Sequence, residues 1–193
     1  MTGWAIPGVR IRVMDAEGDD VRPDGEQIGE IVVRGNTVMD GYYHDPDGAA
    51  GAEGAEGAIR DGWFHTGDMA TIDEAGYVLI KDRSKDIIIS AGENISSVEI
   101  EVALGAHPAV LESAVVAAPD EKRGEVPIAI VVLKPDAVVT AKELRGFCRD
   151  RLAAHKVPRE IHFRDALPKG GTGKILKAEL REPFWVGLDA RVH

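Results

Sequence analysis

The segment with the clearest chemical potential is PKGGTGKILK, at residues 168–177. Its three glycines leave the backbone free to approach a ligand, and they present Lys174 at a flexible tip. An ammonium group in that position can neutralise a developing negative charge. The spacing is too short for the phosphate loop G-x-x-x-x-G-K-[ST], and Ile175 follows the lysine. Taken alone, such a loop is more often an ordinary surface turn than a site.

Two more side chains have the chemistry to bind a nucleotide. Asp68 has a short carboxylate that can accept two hydrogen bonds from a ribose diol, although an aspartate after Gly67 is commonly a turn residue. Arg83 carries a fixed fork of donors, but an arginine before a strand is usually solvated. His65 and His155 are expected to pack or hydrogen-bond and not to act as general bases. No spacing of His, Asp and Glu predicts a metal site.

The charge balance narrows the class of partner. The 193 residues include 33 acidic and 23 basic side chains, a formal charge of -10. This argues against binding to nucleic acid or to an anionic membrane. Basic residues gather towards the end of the chain, where they can attract a phosphorylated ligand. A single cysteine, Cys148, excludes an intramolecular disulfide and fits a buried helix position.

Neither a membrane span nor a targeting segment is expected from the sequence. No apolar run reaches the length that crosses a bilayer, and the first residues lack the basic and apolar regions of a signal peptide. With a lone cysteine, this predicts a cytoplasmic protein.

The first part of the chain is expected to be mostly β. Alternating apolar and polar residues, or short β-rich runs, predict strands at 9–14, 28–34 and 77–80. Trp63 and Phe64 are expected to anchor a turn. Residues 45–58, DPDGAAGAEGAEGA, lack bulky side chains and predict a solvated loop.

The second part alternates strands and helices in the order β-α-β-β-α-β-α. Strands are predicted at 87–89, 110–118, 128–133 and 161–163, with a loop at 90–94. Ser96 and Glu99 form a capping box that begins a helix through residue 106. Thr140 caps a second helix through residue 154, and a short third helix begins at Ile175. The second helix has an apparent buried stripe at helical spacing: Leu144, Phe147, Cys148, Arg151 and Leu152.

These elements predict an α+β fold. A β-rich subdomain at residues 1–83 precedes a small domain at residues 84–193, in which a short sheet is flanked by helices.

Four motifs follow one another in a specific order: HTGDMA at 65–70, KDRSKDIIISAGENISSVEIE at 81–101, HKVPREIHF at 155–163 and PKGGTGKILK at 168–177. This series resembles the C-terminal signature motifs of the AMP-forming acyl-CoA synthetases, members of the adenylate-forming superfamily. The second motif is most similar to that of fatty- and medium-chain ligases. GEIVVRG at 29–35 and GYYHDPD at 41–47 extend the resemblance over nearly the whole chain.

The resemblance implies a two-step reaction. A fatty or medium-chain carboxylic acid is joined to the α-phosphate of ATP, releasing pyrophosphate, and CoA then takes the acyl group, releasing AMP. ATP, AMP, CoA and Mg²⁺ are therefore the implied cofactors, although none has a complete binding motif in this chain. Residues 1–83 would be the last subdomain of a large adenylation domain, and residues 84–193 its mobile lid.

The resemblance also assigns roles to residues. Lys174 is the catalytic lysine of adenylation, Asp68 and Arg83 bind the nucleotide, and Lys85 is the hinge about which the lid rotates. The CoA passage is lined by Ser90, Ala91, Gly92, Glu93 and Asn94. Ala91 stands where related sequences usually have a second glycine, and His155 stands where tyrosine is common.

Some family features do not appear in the sequence: the upstream phosphate-binding loop, the acyl pocket and the adenine contacts. We therefore expect the chain to be inactive alone and to need the missing N-terminal adenylation domain as its partner. A fragment, a truncated gene product and a separate lid subunit all remain open. The alternative function is a nonenzymatic lid-like module that binds CoA, AMP or a partner adenylation subunit.

Overall fold

The computed structural model describes residues 2–39 and 58–187. The GYYHDPD motif and the predicted loop, apart from residue 58, lie outside the described residues. The chain divides into two compact units, Met1–Ser84 and Lys85–His193.

The described part of the first unit is mostly β, as the sequence predicts, and its strands pair antiparallel. They are β1 (Thr2–Gly3), β2 (Val9–Met14), β3 (Gly29–Gly35), β4 (Ile59–Arg60), β5 (Trp63–Ile72) and β6 (Val78–Arg83). The strand order is β1-β6-β5-β3-β2, and β4 pairs with β5. Val13, Val21, Ile31, Ala70 and Val78 form the core of this unit.

Trp63 and Phe64 flank a turn, as predicted, but they also begin strand β5, which the sequence did not predict. Phe64 pairs with residues of both β3 and β4, and aromatic side chains favour such positions in a sheet. The turn lies just before them, at Asp61 and Gly62, whose φ angles are +50° and +77°. An Asp-Gly pair favours this mirror-image hairpin turn.

Strand β6 runs further than expected, to Arg83 instead of Ile80. Its polar last residues continue the pairing with β5, in which Asp82 lies opposite Met69 and Arg83 opposite Asp68. Backbone pairing with the central strand β5 thus extends β6 through polar residues that lie beyond its apolar run.

The boundary between the two units falls within a short 3-10 turn, Ser84–Asp86. The strands of the second unit are β7 (Ile88–Ser90), β8 (Glu93–Ile95), β9 (Val110–Asp120), β10 (Gly124–Leu133) and β11 (Glu160–Phe163). Its helices are α1 (Ser97–Gly105), α2 (Ala141–Arg149) and α3 (Lys177–Trp185), with a 3-10 turn at Ala154–Lys156. Strand β10 pairs antiparallel with β9 and β7 and parallel with β11.

Both faces of this sheet are buried, which explains the long apolar runs in β9 and β10. On one face Val115 and Val131 pack with Ile100 and Leu104 of α1 and with Leu144 of α2. The opposite face packs against Leu167 and against Leu180 of α3. The α+β class predicted from the sequence is confirmed.

Ser96 and Thr140 cap helices α1 and α2 as predicted, but the capping box predicted for Ser96 and Glu99 is incomplete, because the Glu99 side chain pairs with Lys156 instead. Ser96 Oγ accepts a hydrogen bond from Glu99 N at 3.3 Å. At α2 the capping box between Thr140 and Glu143 is complete. The third helix begins at Lys177, two residues after the predicted start at Ile175.

Helix α2 is five residues shorter than predicted. The N–H groups of Arg151 and Leu152 both donate to Cys148 O, at 3.0 and 2.9 Å, which tightens the chain into a turn. From this turn Leu152 packs against the core. Arg151 is exposed, so its assignment to the buried stripe is wrong, and its guanidinium lies 3.5 Å from the centre of the Phe147 ring.

No helix in residues 2–39 or 58–187 is long and apolar enough to cross a membrane.

Candidate functional site

In the first unit, Asp68 and Arg83 lie opposite each other on β5 and β6. Arg83 Nε is 2.6 Å from Asp68 Oδ1, and their side chains are 60% and 28% exposed. The two predicted nucleotide-binding residues therefore form an ion pair at the surface of the sheet, where a ligand can reach both.

The backbone around Asp68 is held by Glu30, a residue to which the sequence assigned no role. Glu30 Oε1 accepts a hydrogen bond from Gly67 N at 2.8 Å, and Oε2 lies 2.7 Å from Nδ1 of His65. Thr66 Oγ1 donates to Ile31 O at 2.8 Å. His65 thus hydrogen-bonds, as expected. The partners of Glu30 lie more than 30 residues away, so no local pattern predicts these contacts. The only sequence signal at Glu30 is its place in the GEIVVRG motif.

In the second unit, residues 90–94 form a β-hairpin and not the predicted loop. Ser90 pairs with Glu93, and the turn consists of Ala91 and Gly92, with φ angles of +53° and +83°. Ala91 N also donates to Arg123 O at 2.8 Å. Four of the five predicted CoA-passage residues are exposed, whereas Ser90 is 2% exposed and its Oγ has no hydrogen-bond partner among the described residues.

Glycine at position 92 is required by backbone conformation. A Cβ added there would meet no atom of the chain within 4 Å. The φ angle of +83° is one that side-chain-bearing residues rarely adopt. Clearance for the pantetheine arm of CoA stays a prediction.

The loop that carries Lys174 is more ordered than the predicted flexible tip. Gly170 N donates to Lys174 O, Gly173 N to Gly170 O and Leu176 N to Pro168 O, each at 2.9 Å. These bonds close the loop and leave the Lys174 side chain exposed.

Two ion pairs hold the ends of this loop. Lys169 Nζ lies 2.6 Å from Glu112 Oε2. Lys177 Nζ lies 2.8 Å from Glu101 Oε1 and donates to Ser97 Oγ at 2.6 Å. Because the Lys177 and Glu101 side chains are only 16% and 19% exposed, their attraction is less screened than that of a surface pair. The sequence did not reveal these anchors.

Lys85 lies in the turn Ser84–Asp86, and its backbone carbonyl accepts a hydrogen bond from Nη1 of Arg181. The hinge role of Lys85 stays a prediction.

The HKVPREIHF motif has a structural contact that the sequence did not predict. Lys156 Nζ donates to both carboxylate oxygens of Glu99, at 2.9 and 2.7 Å. This pair joins the second 3-10 turn to helix α1. His155 is exposed beside it.

A basic cleft of about 560 Å³ lies between α2 and β11. Its cationic lining consists of Lys142, Arg145, Arg149 and Arg159. Arg145 Nε donates to Pro158 O at 3.0 Å, which fixes that side chain. In a chain of net charge -10, this concentration of arginine favours a phosphorylated ligand.

Within the described residues, no group of three or more His, Cys, Asp and Glu side chains is placed to hold a metal ion.

Two family models match the sequence. The model of the AMP-binding enzyme matches residues 1–43, and that of the AMP-binding enzyme C-terminal domain matches residues 99–174. Together they span more than half of the chain.

Several named proteins are similar to this chain. The probable acyl-activating enzyme 9 of Arabidopsis thaliana is 50% identical over 169 residues, covering 86% of this chain and 30% of the relative. The 2-methylpropanoate-CoA ligase CCL4 of Humulus lupulus is 48% identical over 176 residues, covering 90% and 31%. The probable acyl-activating enzyme 5 of Arabidopsis thaliana, named peroxisomal, is 49% identical over 175 residues, covering 89% and 31%.

Solved structures agree with these matches. ATP-bound MatB from Rhodopseudomonas palustris superposes with a TM-score of 0.83 at 37% identity, covering 94% of this chain and 35% of that one. The o-succinylbenzoate-CoA synthetase of Bacillus subtilis, in complex with its acyl adenylate, gives 0.80 at 36% identity, covering 91% and 34%.

The two family matches, the curated relatives and the solved structures all point to the same class, the AMP-binding enzymes. The chain belongs to the family of AMP-binding enzymes and corresponds to the C-terminal part of its AMP-forming acyl-CoA ligases. It spans about 30% of the length of the curated relatives.

Proposed function

We propose that this chain supplies the lid and the last β-rich subdomain of a ligase that activates a carboxylic acid with ATP and transfers the acyl group to CoA. The observation that carries the proposal is the agreement between the two family matches and the ordered series of motifs that ends at Lys174. The motif at residues 81–101 is most similar to that of fatty- and medium-chain ligases, which supports a fatty or medium-chain acid.

Each predicted residue has a defined task in this proposal. Asp68 accepts hydrogen bonds from the ribose hydroxyls, and the neighbouring Arg83 keeps that carboxylate oriented while donating to the nucleotide. In the first step the acid's carboxylate forms a bond to the α-phosphorus of ATP, and the bond to pyrophosphate breaks. Lys174 stabilises the negative charge that develops there. Mg²⁺ would enter with the ATP phosphates.

The second step uses the hairpin at residues 90–94. The sulfur of CoA attacks the acyl carbonyl, and AMP leaves with its bonding electron pair. We propose that Ala91 and Gly92 line the passage of the pantetheine arm, and that the lid reaches this second orientation by rotating about Lys85.

The choice of acid is proposed to lie outside this chain. The similar structures include ligases named for different acids, o-succinylbenzoate and anthranilate. A C-terminal part common to ligases of such different acids supports an acid pocket located elsewhere.

Pyrophosphate exchange tests the enzymatic proposal. The purified chain, given ATP, Mg²⁺ and a fatty acid, is expected to exchange no labelled pyrophosphate, because one lysine cannot replace a phosphate-binding loop and an acid pocket. Robust exchange by the chain alone would overturn this proposal.

A second candidate function, a nonenzymatic module that binds CoA, is favoured by the basic cleft. CoA carries three phosphate groups, and the cleft arginines are suited to hold them. Calorimetry would compare CoA with dephospho-CoA on the parent chain and on Arg149→Gln, with the exposed Arg164→Gln as control. If CoA binds more weakly to Arg149→Gln than to the parent chain and to Arg164→Gln, the result supports the cleft as the CoA site. Equal binding to all three chains rejects that site.

A cytoplasmic location is also proposed. The lone cysteine supports a reducing compartment. One relative is named peroxisomal, so organelle fractionation of cells that express the whole protein is the test. The net charge of -10 supports the proposal that no nucleic acid is bound.

A further inference from the structure

Arg181 on helix α3 is an almost enclosed cation for which the proposed reaction has no task. Its side chain is 11% exposed. An arginine is seldom buried to this extent unless it is paired, because removing its charge from water is costly. The contacts of Arg181 therefore indicate what it is for.

The guanidinium of Arg181 contacts the beginning of the second unit. Its Nη1 donates a hydrogen bond to the backbone carbonyl of Lys85, a residue 96 positions away in sequence. The same nitrogen is 4.0 Å from Oδ1 of Asp86. Both partners belong to the 3-10 turn Ser84–Asp86.

One helical turn earlier, Lys177 faces the same side of α3, since residues four apart are neighbours on a helix surface. Lys177 contacts Glu101 and Ser97 of α1, the helix that follows the 90–94 hairpin. Lys174 lies only three residues before Lys177. One face of α3 thus connects the catalytic loop, helix α1 and the turn that contains Lys85.

We propose that Arg181 is a positioning residue that fixes the second-unit side of the hinge. Holding the Lys85 carbonyl fixes the peptide plane between Lys85 and Asp86. Because Arg83 is held in strand β6, backbone rotation is then left to the angles of Ser84 and to those of Lys85 on the amino-terminal side of that plane. The Lys174 loop moves together with this plane because both are attached to α3. This inference rests on the proposed hinge role of Lys85.

Limited digestion of the full chain with trypsin tests the inference, since trypsin cleaves after lysine and arginine. Arg83 and Lys85 are cleavage sites at the hinge, and Lys122 and Arg123 are reference sites in the exposed β9–β10 turn. Mass spectrometry gives the rate at each pair of sites. Proteolysis follows the population of the locally opened form, so the ratio of the two rates reports opening at the hinge.

Arg181→Gln is expected to raise the ratio of hinge to reference cleavage about tenfold, because a charged hydrogen bond to the carbonyl is lost. Arg181→Lys is expected to give an intermediate ratio, since an ammonium keeps the charge but lacks the rigid planar donor group that directs the hydrogen bond. Arg164→Gln, the same change at an exposed arginine, is expected to leave the ratio unchanged.

An unchanged ratio in Arg181→Gln would overturn the inference, as would equal acceleration at both pairs of sites, which indicates global unfolding. If circular dichroism shows that Arg181→Gln does not fold, Arg181→Lys provides the test. A cleavage ratio in Arg181→Lys equal to that of the parent chain would then overturn the inference. No substrate enters this assay. Its failure and the failure of the ligase proposal are therefore distinguishable.

Discussion

At the residue scale, the candidate site depends on side chains that position other side chains. Asp68 is oriented by Arg83, and the backbone just before it is held by Glu30 through Gly67 and His65. A change at Glu30 would therefore alter the backbone that positions Asp68.

Cys148 gives a prediction at the same scale. Its side chain is fully buried, and burial raises the pKa of the thiol, while the nearby Arg151 acts in the opposite direction. The reactive form is the thiolate. The native chain is therefore expected to react with Ellman's reagent at pH 8 at least about a hundredfold more slowly than the urea-unfolded chain.

Since Cys148 is the only cysteine of the chain, all reaction reports on this position. Equal rates in the native and unfolded chains would contradict the assignment. The raised pKa also means that the thiol's contribution to stability is present below the ordinary thiol pKa and is lost as pH rises above it.

Motif residues such as Asp68, Arg83 and Lys174 could be selected from the sequence because their chemistry and order are local signals. Glu30, Glu101 and Arg181 could not. Their partners lie between 14 and 96 residues away, and no spacing rule brings them together before the sheets have formed.

At the scale of elements, the 90–94 hairpin carries strain at Ala91. A φ angle of +53° is unfavourable for alanine, at roughly 1–2 kcal/mol. The change Ala91→Gly relieves this strain, although it also makes the unfolded chain more flexible. We expect the free energy of unfolding to rise by about 0.5–1 kcal/mol, measured by urea denaturation.

Ala106→Gly is the matched control, because Ala106 is exposed and its φ angle is -72°. There the same substitution is expected to lower stability. Destabilisation by Ala91→Gly comparable to that control would show that the turn is not strained.

Helix α2 offers a second test at this scale. Thr140 Oγ1 accepts a hydrogen bond from Glu143 N at 3.2 Å, and Thr140 N donates to Glu143 Oε2 at 2.8 Å. Thr140→Ala is expected to lower the free energy of unfolding by about 1 kcal/mol. Thr140→Ser should retain most of the stabilisation by the cap, because serine keeps the hydroxyl group.

The capping box also makes α2 sensitive to pH. Hydrogen bonds from Thr140 lower the pKa of Glu143. A lowered pKa contributes stability above the ordinary carboxyl pKa and loses it as pH falls through the folded value. Urea denaturation of the parent and of Glu143→Gln should therefore differ at pH 7 and converge at strongly acidic pH. A constant difference would contradict the role of the Glu143 charge.

Periodicity and capping predicted most elements, because helix caps and alternating strands are local patterns. The predicted element boundaries were wrong where long-range contacts determine them. Packing of Leu152 ends α2 early, and pairing with β5 extends β6 to Arg83. The 90–94 hairpin forms although alanine occupies a position that favours glycine.

At the scale of the whole molecule, two compact units carry different parts of the predicted chemistry. The first has the ion pair of Asp68 and Arg83, and the second has the 90–94 hairpin, the closed Lys174 loop and the basic cleft. The family could be predicted from ordered motifs. The acid could not be predicted, because the pocket that selects it is proposed to lie outside this chain.

A hybrid ligase gives the most direct test that this chain supplies the catalytic lid. The chain would replace the matching C-terminal part of a related acyl-CoA ligase, and pyrophosphate exchange would be compared between the hybrid, its Lys174→Ala variant and its Lys134→Ala variant, which alters an exposed lysine. Losing one charge-stabilising group is expected to reduce adenylation about 100- to 1,000-fold in Lys174→Ala only. Thioester formation from added acyl adenylate and CoA should persist. Equal pyrophosphate exchange by the Lys174→Ala hybrid and the unaltered hybrid would contradict the account.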